Sequence, residues 1–329
     1  MAATFGYLDH IIVVTNPNHI MAQPEIQRFL DIHIHREQVP FEVVEVHEEK
    51  RYTRKLIRYA GSEGDEVRAF LFLPKKEVVG AVLVHHQHDG DRVIGKSEVA
   101  GLAGDPHQFF CPALAERGIM TLAPDSICFE DRRTNMKGQG LEPAPDPDDD
   151  IMQHFNEMCY RLLNGTTLMK KVIEDSSIAL SLLSELNPAG PDRLGILGHS
   201  YGGNTVIFHS PFDERIKFSC SSGAVCSYRE KFSTQTGIEM AETIPGFTAR
   251  YDIEDLLRLI APRHLLVLSA DEDIYAMDAP AVCEAVEPAF AAANAADHLT
   301  QVRFKGAHAL DGERFEVILG WFVEKFGKE

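Results

Sequence analysis

Short β-rich runs alternate with helical stretches along most of this chain, and that rhythm narrows its fold more than any other feature. The candidate strands are Phe41–Val46, Arg68–Leu73, Gly80–His85, Ile119–Ala123, Arg193–Leu197, Phe218–Ser221, His264–Ser269 and Gln301–Phe304. Several are largely apolar, as strands buried on both faces are. Between them, Thr167–Leu186 places Leu168, Val172, Ile173, Leu180 and Leu183 at helical spacing, and Asn187-Pro188-Ala189-Gly190-Pro191 stops it. Gln108–Glu116, Ala279–Asn294 and Gly312–Phe326 read as further helices. The pattern predicts an α/β protein: a mostly parallel central sheet of about eight strands with helices on both faces. The first two strands carry charged residues with no helix between them, so they are expected as an antiparallel edge.

At 329 residues, one catalytic domain over 41–329 accommodates this pattern, with 1–40 as an N-terminal extension of unassigned role. The rhythm breaks at Asp131–Asp150, where Gly138, Gly140, Pro143, Pro145, Pro147 and three consecutive aspartates form a long polar connection. It sets off a lid-like excursion near 126–166. A formal net charge of −18 without a compensating basic block argues against nucleic acid and anionic membranes as partners. Homo-oligomerisation is left open. The six cysteines are scattered, with no CxxC, which suits free thiols in a reducing compartment. The first twenty residues hold only a four-residue apolar run, Ile11 to Val14, and no stretch approaches the roughly 18 apolar residues of a membrane span. The expectation is a soluble, cytoplasmic protein.

Leu197-Gly198-His199-Ser200-Tyr201-Gly202-Gly203 contains Gly-x-Ser-x-Gly, a pattern that average composition produces by chance in about one chain in ten of this length. Its setting makes it informative. A buried strand precedes it and a plausible helix over Asn204–His209 follows, so Ser200 occupies a sharp strand-to-helix turn flanked by residues without a Cβ. A serine hydroxyl is a weak nucleophile and needs a histidine base oriented by an acid. In this architecture they follow in the order acid, then histidine. Ala270-Asp271-Glu272-Asp273 follows a late strand and supplies the acid, with Asp273 preferred and Asp271 the alternative. His308, just past the last strand, is the base.

Acyl transfer also needs donors for the developing oxyanion. One is the backbone N–H of Tyr201; the other is expected from Gln87 or His88, after the strand Gly80–His85. The same loop offers a rival. His85, His86 and His88 with Asp89 and Asp91, together with His33 and His35, suggest a metal-dependent hydrolase. Adjacent histidines on a strand point opposite ways, however, and a metal site leaves the Gly198–Gly203 turn unexplained. No metal is therefore assigned. A non-catalytic binding protein on the same fold is a third reading.

Four stretches carry a resemblance to the dienelactone hydrolase and acetyl xylan esterase-like branch of the α/β-hydrolase superfamily. Gly198–Gly203 resembles the family's nucleophile elbow, and Leu122-Ala123-Pro124-Asp125 its Ala-Pro-Asp after a central strand. Ile260-Ala261-Pro262-Arg263 resembles its approach to the acid strand, and His86-Gln87-His88 with Gly95-Lys96 and Gly101 its oxyanion-loop region. The resemblance implies an α/β-hydrolase fold, Ser200 as nucleophile, Asp273 as acid, His308 as base, donors from Tyr201 and the Gln87/His88 position, and no cofactor. Two departures stand out: Ala270 occupies a place where glycine is usual, and dienelactone hydrolases proper use a cysteine nucleophile. The substrate expected is a small-molecule ester. Phe129, Ile274, Tyr275 and Met277 are expected to line its pocket, with Cys128, Met136, Met152 and Phe155 from the excursion. Arg132 and Arg133, beside Glu130 and Asp131, read as a surface ion-pair cluster rather than a carboxylate clamp.

Overall fold

The alternating runs become one nine-stranded sheet in a computed structural model, which describes residues 23–88, 90, 92–133 and 147–327. The strands are β1 (Phe41–Glu48), β2 (Tyr52–Ala60), β3 (Glu66–Pro74), β4 (Gly80–His85), β5 (Ile119–Pro124), β6 (Leu194–His199), β7 (Phe218–Ser222), β8 (His264–Ala270) and β9 (Leu299–Phe304). Their order across the sheet is β1-β2-β3-β5-β4-β6-β7-β8-β9. Neighbours from β5 onward pair parallel, whereas β1, β2, β3 and β5 pair antiparallel. β4, β5, β6 and β7 are buried along their whole length, as the apolar runs require.

The expectation of about eight strands fell one short, and the missing strand is β2. Arg54, Lys55 and Arg58 interrupt its apolar alternation. They are tolerated because the antiparallel edge is laced with charge: Arg58 lies 2.7 Å from Glu42 on β1 and 3.3 Å from Glu66 on β3.

The helices are α1 (Gln23–Leu30), α2 (Lys96–Val99), α3 (Phe110–Glu116), α4 (Pro147–Leu163), α5 (Leu168–Leu186), α6 (Tyr201–His209), α7 (Tyr228–Thr234), α8 (Ile253–Arg258), α9 (Ala279–Ala292) and α10 (Gly312–Gly327). Helix α5 starts where Thr167 accepts a hydrogen bond from the Lys170 N–H, and its apolar stripe packs on the sheet. Residues 23–40 pack with the rest of the domain. Ile26, Leu30, Ile32, Ile34 and Val39 are buried, and the His33 and His35 N–H groups donate to Glu174 and Ser177 on α5.

The start of the excursion is tied down by buried charge. Arg132 donates to Asp175 at 2.8 Å and to Asp65 at 2.5 Å, so it lies inside an ion cluster rather than on the surface. Helix α4, beyond it, packs against α5 and the Met240–Glu242 turn. Met136, one of the expected pocket residues, lies outside the described residues. No helix among the described residues is long and apolar enough to cross a membrane.

Candidate active site

Ser200, between the end of β6 and the start of α6, has φ 54° and ψ −120°, a conformation a side-chain-bearing residue rarely adopts. Its flanking glycines make the turn feasible. A Cβ on Gly198 would stand 2.1 Å from the Gly202 carbonyl carbon, and one on Gly202 would stand 2.4 Å from the His85 oxygen. The turn leads at once into α6, whose first N–H groups have no partner within the helix.

The carboxyl ends of three strands deliver three side chains to one point. Ser200 Oγ lies 2.8 Å from His308 Nε2, and His308 Nδ1 lies 3.0 Å from Asp273 Oδ1. Asp273 is buried, and its Oδ1 also accepts from the Tyr275 N–H. Beside an ionised carboxylate, which only accepts, Nδ1 carries the proton and Nε2 is free to accept from Ser200. Asp271 is engaged elsewhere: its Oδ1 accepts from the Gly306 N–H at 2.8 Å. The buried His199 ring lies beside that of His308, at 4.9 Å between centroids, and burial drives its pKa well below the ordinary value.

The histidine loop serves three different partners. His85 Nε2 lies 2.8 Å from Ser176 Oγ on α5. His86 accepts from the Ser126 N–H through Nε2, and burial pushes its pKa down to about 4. His88 Nδ1 lies 3.2 Å from Glu239 Oε2. The three rings do not converge on a common point, and Asp89 and Asp91 lie outside the described residues. The one acidic trio at metal-ligand spacing among the described residues, Asp125, Glu130 and Asp131, encloses Lys96 Nζ at 2.7, 2.5 and 2.7 Å. A cation of the chain's own already holds that centre.

Ser200 and His308 open onto a cavity of about 380 Å³. Of the sequence-predicted residues, His88, Tyr201 and Tyr275 line it. Gln87 does not; its side-chain amide donates to Glu98, and its carbonyl accepts from His86. Phe129 is fully buried behind the cavity, with its ring 5.3 Å from Tyr201 and 5.8 Å from His88. Cys128 is likewise buried, whereas Ile274, Met152 and Phe155 are exposed, and Met277 receives Arg303 on its carbonyl.

The wall facing the triad escaped the sequence reading. It comes from α7 and the segment after it: Lys231, Glu239 and Glu242. Nothing in that stretch separates these charges from an ordinary solvated helix face. Burial alone raises the Glu239 carboxyl, yet the His88 hydrogen bond, with His154 and Arg92 nearby, holds it down to about 2.

A parallel sheet with an antiparallel edge, a strained serine turn between β6 and α6, and acid and histidine at the ends of β8 and β9 define the α/β-hydrolase fold. No family model matches the chain. Over 216 residues it is 28% identical to "Putative hydrolase YtaP" of Bacillus subtilis (strain 168), spanning 64% of this chain and 67% of that protein. Among solved structures, it matches a "putative acetyl xylan esterase" from Bacteroides fragilis NCTC 9343 with a TM-score of 0.72 and 13% identity, over 92% of this chain and 87% of that one. A glucuronoyl esterase from Solibacter usitatus matches with a TM-score of 0.64 and 15% identity, over 93% and 92%. At such identities the likeness establishes the fold, which is the one the sequence resemblance implied.

Proposed function

We propose that this chain is a serine hydrolase that cleaves the carboxylic ester of a small molecule through an acyl-enzyme. The observation that carries the reading is the 2.8 Å and 3.0 Å relay from Ser200 through His308 to Asp273, on a strained turn at the mouth of a cavity. The hydrolase relative and the esterases among the structural neighbours agree with it.

His308 takes the Ser200 proton as Oγ attacks the ester carbonyl. The oxyanion is received by the Tyr201 N–H and by an N–H of the Gln87/His88 loop, each donor worth about 3 kcal/mol. His308 then protonates the departing alcohol, and water, activated by the same ring, releases the acid. Asp273 holds the Nδ1–H tautomer and balances the imidazolium charge. No cofactor enters this sequence. All six cysteines are free, five of them buried, which favours a reducing, cytoplasmic setting.

The test is labelling with a fluorophosphonate and hydrolysis of p-nitrophenyl acetate, with and without a chelator. Labelling on Ser200 and chelator-insensitive turnover are expected, with Ser200→Ala losing about 10⁴-fold or more. Undiminished hydrolysis by Ser200→Ala sinks the serine mechanism, and absence of both labelling and turnover favours a binding protein on this fold.

A further inference from the structure

The wall opposite the triad is built at a cost that an alkyl-ester pocket does not need. Lys231 Nζ lies 2.7 Å from Glu242 Oε2, with side chains only 3% and 1% exposed. A buried Lys–Glu pair is weak support for a fold, since apolar residues of equal volume stabilise as well or better. Its position gives it another meaning. Both residues line the Ser200 cavity, and Glu242 Oε1 has no hydrogen-bond partner among the described residues. Asn204 Oδ1 and His88 Nε2, on two further cavity-lining residues, are also buried and unpartnered. Buried polar atoms gain by being paired, and three that share one cavity can be completed by a single occupant. Two of them, Glu242 Oε1 and Asn204 Oδ1, are acceptors. Glu239 adds a second, partly buried carboxylate to the lining, which carries two carboxylates against one ammonium. The Tyr228 hydroxyl donates to the Glu242 carbonyl at 2.6 Å and holds that segment in place.

Resting on the serine-esterase reading, we propose that Lys231, Glu239 and Glu242 determine specificity: the substrate group entering this cavity bears hydrogen-bond donors, hydroxyl or ammonium, and carries no free carboxylate. A donor meets the unfilled acceptors. An alkyl chain leaves them desolvated and unpaired, and a carboxylate meets like charge.

Two matched ester sets test this in a pH-stat at pH 7. On the acyl side they are ethyl butyrate, ethyl 3-hydroxybutyrate, ethyl 3-aminobutyrate and monoethyl succinate; on the alcohol side, propyl acetate and 2,3-dihydroxypropyl acetate. In at least one set the donor-bearing ester should exceed its alkyl counterpart about tenfold or more in kcat/KM, with monoethyl succinate the poorest. The ratio of hydroxy to amino ester identifies the donor. The paired replacement Lys231→Met with Glu242→Leu should bring the donor-to-alkyl ratio towards one, chiefly through KM. Should that pair fail to fold, Glu239→Gln provides a second reading: a raised ratio of monoethyl succinate to ethyl butyrate. A wild-type preference for the alkyl esters in both sets overturns the proposal, as does a ratio unmoved in the variants. Fluorophosphonate labelling of Ser200 is read on every protein, so failure of the serine mechanism is seen separately.

Discussion

Two Ser–His–Asp arrays lie within this molecule. In one, Ser200 Oγ is 2.8 Å from His308, which is 3.0 Å from Asp273. In the other, Ser176 Oγ is 2.8 Å from His209 Nδ1, and His209 Nε2 is 3.4 Å from Asp213 Oδ2. Their surroundings differ. The His308 side chain is 26% exposed beside a cavity, whereas His209 and Asp213 are sealed and Ser176 is 2% exposed. Ser200 sits on a strained turn; Ser176 sits within α5, and its oxygen is also met by His85 Nε2 at 2.8 Å. The Ser176 hydroxyl is met by His209 Nδ1 on one side and by His85 Nε2 on the other. Both ends of that hydroxyl are occupied. Residue types and distances do not distinguish the two arrays; the cavity beside Ser200 and its strained turn do.

The inner array has positional work instead. It ties α5 and α6 to His85, the last residue of β4, whose carbonyl backs Gly202 in the Ser200 turn. It therefore joins the root of the His86–His88 loop to the helix that begins at Ser200.

The largest effect is expected at the acid of the outer array. Asp273→Asn should cut kcat by about 10⁴-fold, because the amide reverses the tautomer that His308 needs. Asp271→Asn should stay within a few-fold, since Asp271 serves only as acceptor to Gly306. Steady-state kinetics on the same ester decides between them, and the reverse pattern, a large loss in Asp271→Asn with a small one in Asp273→Asn, would return the acid to Asp271.

The outer array was legible in the sequence because each member stands just past a β-run, where strand ends gather on one side of a sheet. The inner one was not. Ser176 and His209 lie inside helices, and the four buried polar residues of that array, His85, Ser176, His209 and Asp213, carry no periodic signal that sets them apart from solvated ones. The cavity wall failed for a related reason: Lys231, Glu239 and Glu242 look like surface charge until the chain between β7 and β8 folds over the triad. β2 was lost because its charges pair across strands rather than alternate with apolar residues.

Burial of neutral histidines gives the interior a pH limit. Desolvation holds His85 well below its ordinary pKa of 6.5 and lowers His86 to about 4. The unfolded chain therefore binds more protons than the folded one below pH 6.5, and stability falls with pH through that window. For His86 alone the loss by pH 4 is about 3 kcal/mol. Asp213 adds to it further down. The Arg215 and His209 hydrogen bonds outweigh burial and hold its carboxyl below the usual 3.8, so its contribution is present above that pH and lost below. Thermal unfolding from pH 7.5 to 4 should show a falling Tm with proton uptake on unfolding. A flat profile would contradict neutral, sealed histidines.

The smallest effect tests whether the inner serine is purely positional. Ser176→Ala leaves His85 Nε2 and His209 Nδ1 buried without their shared partner, a loss of about 1–3 kcal/mol. Denaturant unfolding should register that loss at an unchanged m-value. Turnover should fall by about tenfold at most, through kcat rather than KM, because the donor loop is loosened while the cavity is untouched. In the Ser200→Ala background, fluorophosphonate should leave Ser176 unlabelled, since Ser176 is buried and does not line the cavity. Labelling there would mean that the interior opens on the timescale of the experiment, and the distinction between a sealed array and an open one would then be a matter of rate rather than of architecture.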